Sequence, residues 1–248
     1  IYCYAVSKVV IPWLLLCLLI SRAELRKRKH ITLFLLLICI VLTVSLPGLM
    51  KSFSGDGMVR YNQVSLFNPR QQVEFLSKHS ENSVYHKIHE NSKLLPLAIF
   101  AQNLSKQLSP AFLFFRPGPD IRHSVQGFGL EHWIHIPAAL LGLVVLIRKK
   151  GKGHFVLLWC LGSLAAPALT VDLIPHVVRS ISTIPALQII IASGYLYTWQ
   201  KFKHHRYQLV TLFLLLLGVA NYHFMDHYLG DYCKKGGMVF DAHWKSLI

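Results

Sequence analysis

Asp120-Ile121-Arg122-His123-Ser124 sets a carboxylate, a permanent cation, a titratable ring and a hydroxyl within five consecutive residues. Arg122, His123 and Ser124 suit an anionic or hydroxyl-rich ligand, because guanidinium grips phosphate through paired hydrogen bonds. A second group follows in Asp172-Leu173-Ile174-Pro175-His176-Val177-Val178-Arg179-Ser180. His176 and Arg179 are three apart, so a helical turn would put them on one face. An arginine held at a bilayer edge is where a lipid-linked phosphate would sit; a snorkelling interfacial arginine is the plainer alternative. His223 and His227 are four apart with Asp226 between them, a spacing that suits two metal ligands on one helix face. No third ligand is evident nearby, so no metal is assigned. His79, His86 and His89 read as solvated, and His132 and His135 as polar anchors beside Trp133. The five cysteines are odd in number and lack a C-x-x-C, which argues against a disulfide framework or zinc site. A Cys3–Cys233 bridge is the one conceivable pair.

The elements that must position these groups are apolar. The chain has 248 residues, 53% of them hydrophobic, and the excess falls in blocks, the pattern of a multi-span membrane protein. Ile31–Met50 is the clearest span, 20 residues without a charge. The others are 1–20, with Lys8 and Pro12 inside, 133–147, 155–171, 181–200 and 209–228. The expected fold is therefore all-α, a polytopic bundle of about six spans. Residues 1–50 hold two spans, 51–132 form a loop region, 133–228 hold four spans and 229–248 begin a further segment. The chain opens inside an apolar run and stops in a polar one, which reads as a fragment of a longer protein.

Basic residues orient the bundle. The loops 21–30, 148–154 and 201–208 carry 12 Lys/Arg in 25 residues, against 13 in 111 for 51–132, 172–180 and 229–248. Excess Lys/Arg marks the cytoplasmic side. The segment 51–132 then faces away from the cytoplasm, and so do Arg122 and Arg179. The net charge of +15 is largely this topological signal. No basic stripe with interleaved aromatics faces one compartment, so nucleic acid is not an expected partner. Contacts with membrane lipids are generic to such loops. Trp133, Tyr195, Tyr197 and Trp199 are placed as interfacial aromatics.

Within 51–132, a Gly-rich exit at 54–57 precedes a short apolar alternation from Val59 to Phe67. Asn68-Pro69 breaks it, and Pro69 can open a helix. A polar helical stretch runs from Gln71 to about Glu90. Leu94, Leu97, Ala98, Ala101, Leu104 and Leu108 then recur at three- and four-residue spacing, the apolar face of an amphipathic helix. It would lie on the outer membrane surface or pack onto the bundle. From Ser109 to Gly129, three prolines and three glycines forbid a simple helix. Asn103-Leu104-Ser105 fits an N-glycosylation acceptor.

Val64-Ser65-Leu66-Phe67-Asn68-Pro69, Ser109-Pro110 to Phe115, Asp120 to Gly129, and Pro175-His176-Val177-Val178-Arg179-Ser180 together resemble membrane glycosyltransferases of the GT-C fold. The likeness is greatest to the bacterial branch related to dolichyl-phosphate-mannose protein mannosyltransferases and lipid A aminoarabinose transferases. It runs in order over most of 59–200. It departs at Ala111, where the family often has an acid, and at Gly129-Leu130-Glu131-His132. The resemblance implies an enzyme of the plasma (inner) membrane, its active face extracytoplasmic. It would move one sugar from a polyprenyl-phosphate donor to a lipid, glycan or protein acceptor. No cofactor is assigned. The family's catalytic acids lie on a first outer loop, and this chain is expected to begin after it, so no catalytic residue is named. Arg179, His176, Arg122 and His123 would hold the leaving phosphate, and Asp120 would orient Arg122 or an acceptor hydroxyl, or act as a simple turn acid.

A transporter or flippase for lipid-linked saccharides is the alternative. It should carry charged or Gly/Pro-broken positions deep in several spans. Here only Lys8 is such a candidate, and the polar features gather on one face.

Overall fold

The computed structural model describes residues 7–21, 55–78, 94–149 and 151–235, with Tyr85 and scattered positions between 32 and 50. Most of Ile31–Met50, the basic loop 22–30, His79, His86, His89, Cys3 and the segment beyond 235 lie outside the described residues, as does the side chain of Lys8. Cys17, Cys39, Cys160 and Cys233 are free thiols.

The described residues are helical, with no strand among them. The helices are α1 (Ser7–Ser21), α2 (Gly55–Val64), α3 (Pro69–Ser77), α4 (Leu94–Gln107), α5 (Ile136–Arg148), α6 (Lys152–Ala168), α7 (Ile184–Lys201) and α8 (Arg206–His227). An all-α fold is thus observed. Two continuous helical stretches, Val178–Lys201 and Arg206–Lys235, are long and apolar enough to cross a membrane, and Val9–Leu18 and Trp133–Arg148 are shorter apolar helices.

α5 packs chiefly on α7. A Cβ on Gly142 would collide with the carbonyl oxygen of Ile190, and one on Gly194 with that of Ala138. Only glycine lets the two backbones come this close. Glu131 meets Gln188 before α5, and Gly142 meets Gly194 further along, so the two helices ascend together. α6 touches both, and α1 and α4 pack on α6. Trp13 of α1 donates its indole N–H to the carbonyl of Leu158 at 2.7 Å, tying that contact.

In 51–132, most of the alternation Val59–Phe67 is helical: Gly55–Val64 is helix, and Ser65 pairs with Thr170 in an isolated bridge. The apolar side chains of α4 fall on two faces. Leu95, Ile99, Asn103 and Gln107 are buried, whereas Leu94, Leu97 and Leu108 are exposed. Leu95 and Ile99 join Leu66 and Leu76 in one core cluster. Pro69 does open a helix, with the Asn68 side chain accepting the Arg70 N–H at 2.9 Å.

Candidate functional site

The loop after α4 winds as a π-helical turn, Ala111–Phe115, then a short 3-10 turn, Ile121–His123. Asp120 makes the second turn. Its carboxylate accepts the backbone N–H of Arg122 at 3.1 Å, and Nε and Nη2 of the same arginine at 3.0 Å each. Ser124 Oγ donates to the Asp120 carbonyl at 2.7 Å. Asp120 therefore both caps the turn and orients Arg122. The guanidinium bond holds the Asp120 carboxyl below its usual range, and the same contact raises Arg122.

The turn between α6 and α7 is built around Arg179. Its side chain is buried, with 8% exposure. Nη1 donates to Thr170 Oγ1 and to the Asp172 carbonyl, each at 2.8 Å, and Nη2 to Asp172 Oδ2 at 3.1 Å. A buried guanidinium is tolerable only when paired and hydrogen-bonded in this way. It is not a snorkelling arginine. His176 is also buried, and its Nδ1 accepts the Arg179 backbone N–H at 3.4 Å. Burial, then the charge of Arg179 and the neighbouring His123, push His176 down to about 4. The ring is neutral at ordinary pH.

The two loops meet. A Cβ on Gly118 would strike the carbonyl oxygen of Pro175, so the backbones touch where Gly118 allows it. His123 Nδ1 lies 3.5 Å from Asp120 Oδ2, and the His123 and His176 rings pack edge to face at 5.8 Å. Asp120, Arg122, His123, His176 and Arg179, drawn from two segments about fifty residues apart in sequence, thus form one continuous polar cluster. Arg122 is its exposed end and Arg179 its buried end.

Several residues support the cluster in ways the sequence does not show. Thr170 and Asp172 hold Arg179. Asn103 donates to the carbonyl of Thr170 at 2.8 Å and is 4% exposed, so its amide is occupied and a glycan acceptor there is not supported. Ser180 Oγ donates to Gln107 Oε1, 2.9 Å away. Tyr232, just after α8, donates its hydroxyl to the Arg122 carbonyl at 3.2 Å. Hydropathy hides such residues, because each is a polar side chain made buriable by a partner distant in sequence.

The histidines near α8 form a separate group. His223 and His227 have their Nδ1 atoms 3.1 Å apart and flank the Phe128 ring. No cluster of three or more His, Cys, Asp or Glu side chains suited to a metal occurs among the described residues. His135 Nδ1 lies 3.0 Å from Tyr195 Oη, so these two join α5 to α7 rather than anchoring separately at an interface.

No family model, curated protein or solved structure matches this chain.

Proposed function

We propose that the protein is a membrane glycosyltransferase that moves a sugar from a polyprenyl-phosphate donor to an acceptor outside the cytoplasm. The observation that carries the proposal is the convergence of Asp120, Arg122, His123, His176 and Arg179 into one cluster. In the transfer, an acceptor hydroxyl oxygen bonds to the anomeric carbon while the bond from that carbon to the phosphate oxygen breaks. The negative charge grows on the departing phosphate, and a fixed guanidinium stabilises it there more than in the ground state. Arg122 suits this role because its side chain is half exposed while Asp120 fixes its direction. Arg179 acts from behind as a positioning residue: its bonds to Thr170 and Asp172 fix the turn that carries His176. The hydroxyl proton goes to a base that is not assigned among these residues. The proposed transferase has six alternating spans, an inner-membrane location and an outer active face. These features are supported by the apolar stretches and by the distribution of Lys/Arg.

The test is sugar transfer by the natural protein in membranes, supplied with a panel of polyprenyl-phosphate sugars. Arg122→Ala should lower transfer roughly a hundredfold with insertion unchanged. Arg179→Ala should abolish it, and Arg179→Lys, which keeps the charge for Asp172, separates lost chemistry from lost folding. Unaltered transfer in Arg122→Ala would remove the phosphate assignment. No transfer from any donor by a correctly inserted protein would favour the saccharide transporter.

A further inference from the structure

Beside the cluster, a cleft of about 380 Å³ opens between α2, α3 and the start of the turn after α6. Gln63, Gln71, Glu74, Phe75, Lys78 and Asp172 line it. Its charges are already balanced. Glu74 bonds Lys78 at 2.7 Å, and Asp172 bonds Arg179 at 3.1 Å. An ionic ligand would have to break one of these pairs. The amides of Gln63 and Gln71 have no hydrogen-bond partner among the described residues, and neither has Asp172 Oδ1. A free primary amide offers two donors and an acceptor, and a carboxylate oxygen only accepts. The ligand that satisfies this set is neutral and carries groups that both donate and accept, side by side. Those are the hydroxyls of a sugar ring, and Phe75 supplies an apolar wall for its C–H face.

The lip of the cleft is strained. Leu173 takes φ +50°, a left-handed conformation that a leucine adopts only when its surroundings impose it. Its neighbour Asp172 bonds Arg179 through Oδ2 and also lines the cleft. One carboxylate therefore joins this cleft to the polar cluster.

We infer that this cleft is a binding site for a neutral saccharide unit, set beside the phosphate-binding cluster through Asp172. Its role as the sugar subsite of a transfer reaction rests on the proposed transferase; sugar binding itself does not.

The experiment is saturation-transfer NMR on the detergent-solubilised protein with methyl glucoside, methyl mannoside and N-acetylglucosamine, and with triglycine and methyl phosphate as neutral-peptide and anionic probes. At least one sugar should be saturated, and the Gln63→Leu/Gln71→Leu double variant should weaken its binding about tenfold, the loss expected for two hydrogen bonds. Both positions lie outside the protein core, so the loss reads binding rather than folding. Saturation of no sugar overturns the inference. So does sugar binding that survives the double variant, or saturation of triglycine or methyl phosphate alone. Sugar binding in a protein that transfers nothing would keep the cleft and remove the transferase. In an active protein, the double variant should raise the KM of the donor if the cleft holds the donor sugar, and that of the acceptor if it holds the acceptor. A change in neither overturns the subsite while leaving the transferase standing.

Discussion

His176 shows how burial sets the chemistry of one residue. Its ring is 5% exposed, accepts a backbone N–H from Arg179 and faces the charges of Arg179 and His123. Each favours the neutral form. The folded ring titrates at about 4 against an ordinary 6.5, so protons bind the unfolded chain more readily than the folded one. The stability it contributes is complete above about pH 6.5 and is lost as pH falls towards 4. Asp120, held low by Arg122, adds a loss of the same sign at lower pH. Glu131 runs the other way: burial raises it, so its contribution falls as pH rises past the usual carboxylate range. We expect thermal unfolding in detergent to shift down between pH 6.5 and 4, by up to about 3 kcal/mol, and the shift to shrink in His176→Gln. An equally steep fall in the variant would assign the acid sensitivity elsewhere. The site residues themselves were legible in the sequence, because charged and ring side chains in short turns between apolar runs stand out. Their partners were not. Thr170, Gln107 and the pairing of Asp172 with Arg179 depend on the fold bringing segments together.

At the scale of elements, the sequence displayed existence better than orientation. Asn68-Pro69 marks the start of α3 by its cap chemistry, and the Pro/Gly-rich run 109–129 correctly forbids a long helix. Leucine spacing showed only one face of α4, because it measures hydropathy alone. Asn103 and Gln107 share the buried face with Leu95 and Ile99; Asn103 donates to the Thr170 carbonyl and Gln107 accepts from Ser180. The leucines at 94, 97 and 108 are left outward. The contact between α5 and α7 is legible only in part, through small residues four apart: Ala138 and Gly142 on one helix, Gly194 on the other. Gly142→Leu must push the backbones apart, since its Cβ would overlap the Ile190 carbonyl. We expect a loss of about 2 kcal/mol or more, read as a lower unfolding temperature. Gly218→Leu on α8 is the control, as its Cβ meets nothing within 4 Å. Equal tolerance of both would mean that α5 and α7 are not so closely packed.

For the whole molecule, the arrangement of apolar surface calls for a solvent other than water. In the helix Arg206–Lys235 the most apolar stretch is only 6% buried, against 33% in Val178–Lys201. Leu212, Leu214, Leu215, Val219 and Tyr222 are all more than half exposed. Apolar side chains exposed in this way suit a cover of acyl chains better than water. If lipid is that cover, orientation follows from the basic loops. Arg206 at the start of α8 stacks over Trp199 and Tyr207 at 5.3 and 4.8 Å, an arrangement that suits a headgroup boundary. α5 and α7 ascend together, as strict alternation requires of two spans separated by one. The prediction is that epitope tags inserted at Gly151 and at Lys203 are reached only after the inner membrane is permeabilised. A tag within 79–93 should be reached from outside in intact spheroplasts. The reverse pattern would place Arg122 and Arg179 in the cytoplasm, where a nucleotide sugar is the expected donor, and would overturn the lipid-linked donor along with the topology. A tag at Lys203 on the same side as one within 79–93 would break the alternation between those points and redraw the bundle. With the predicted pattern, the cluster and its cleft stand at the outer edge of the bilayer. A lipid-linked phosphate and a water-borne acceptor can meet there without either crossing the membrane.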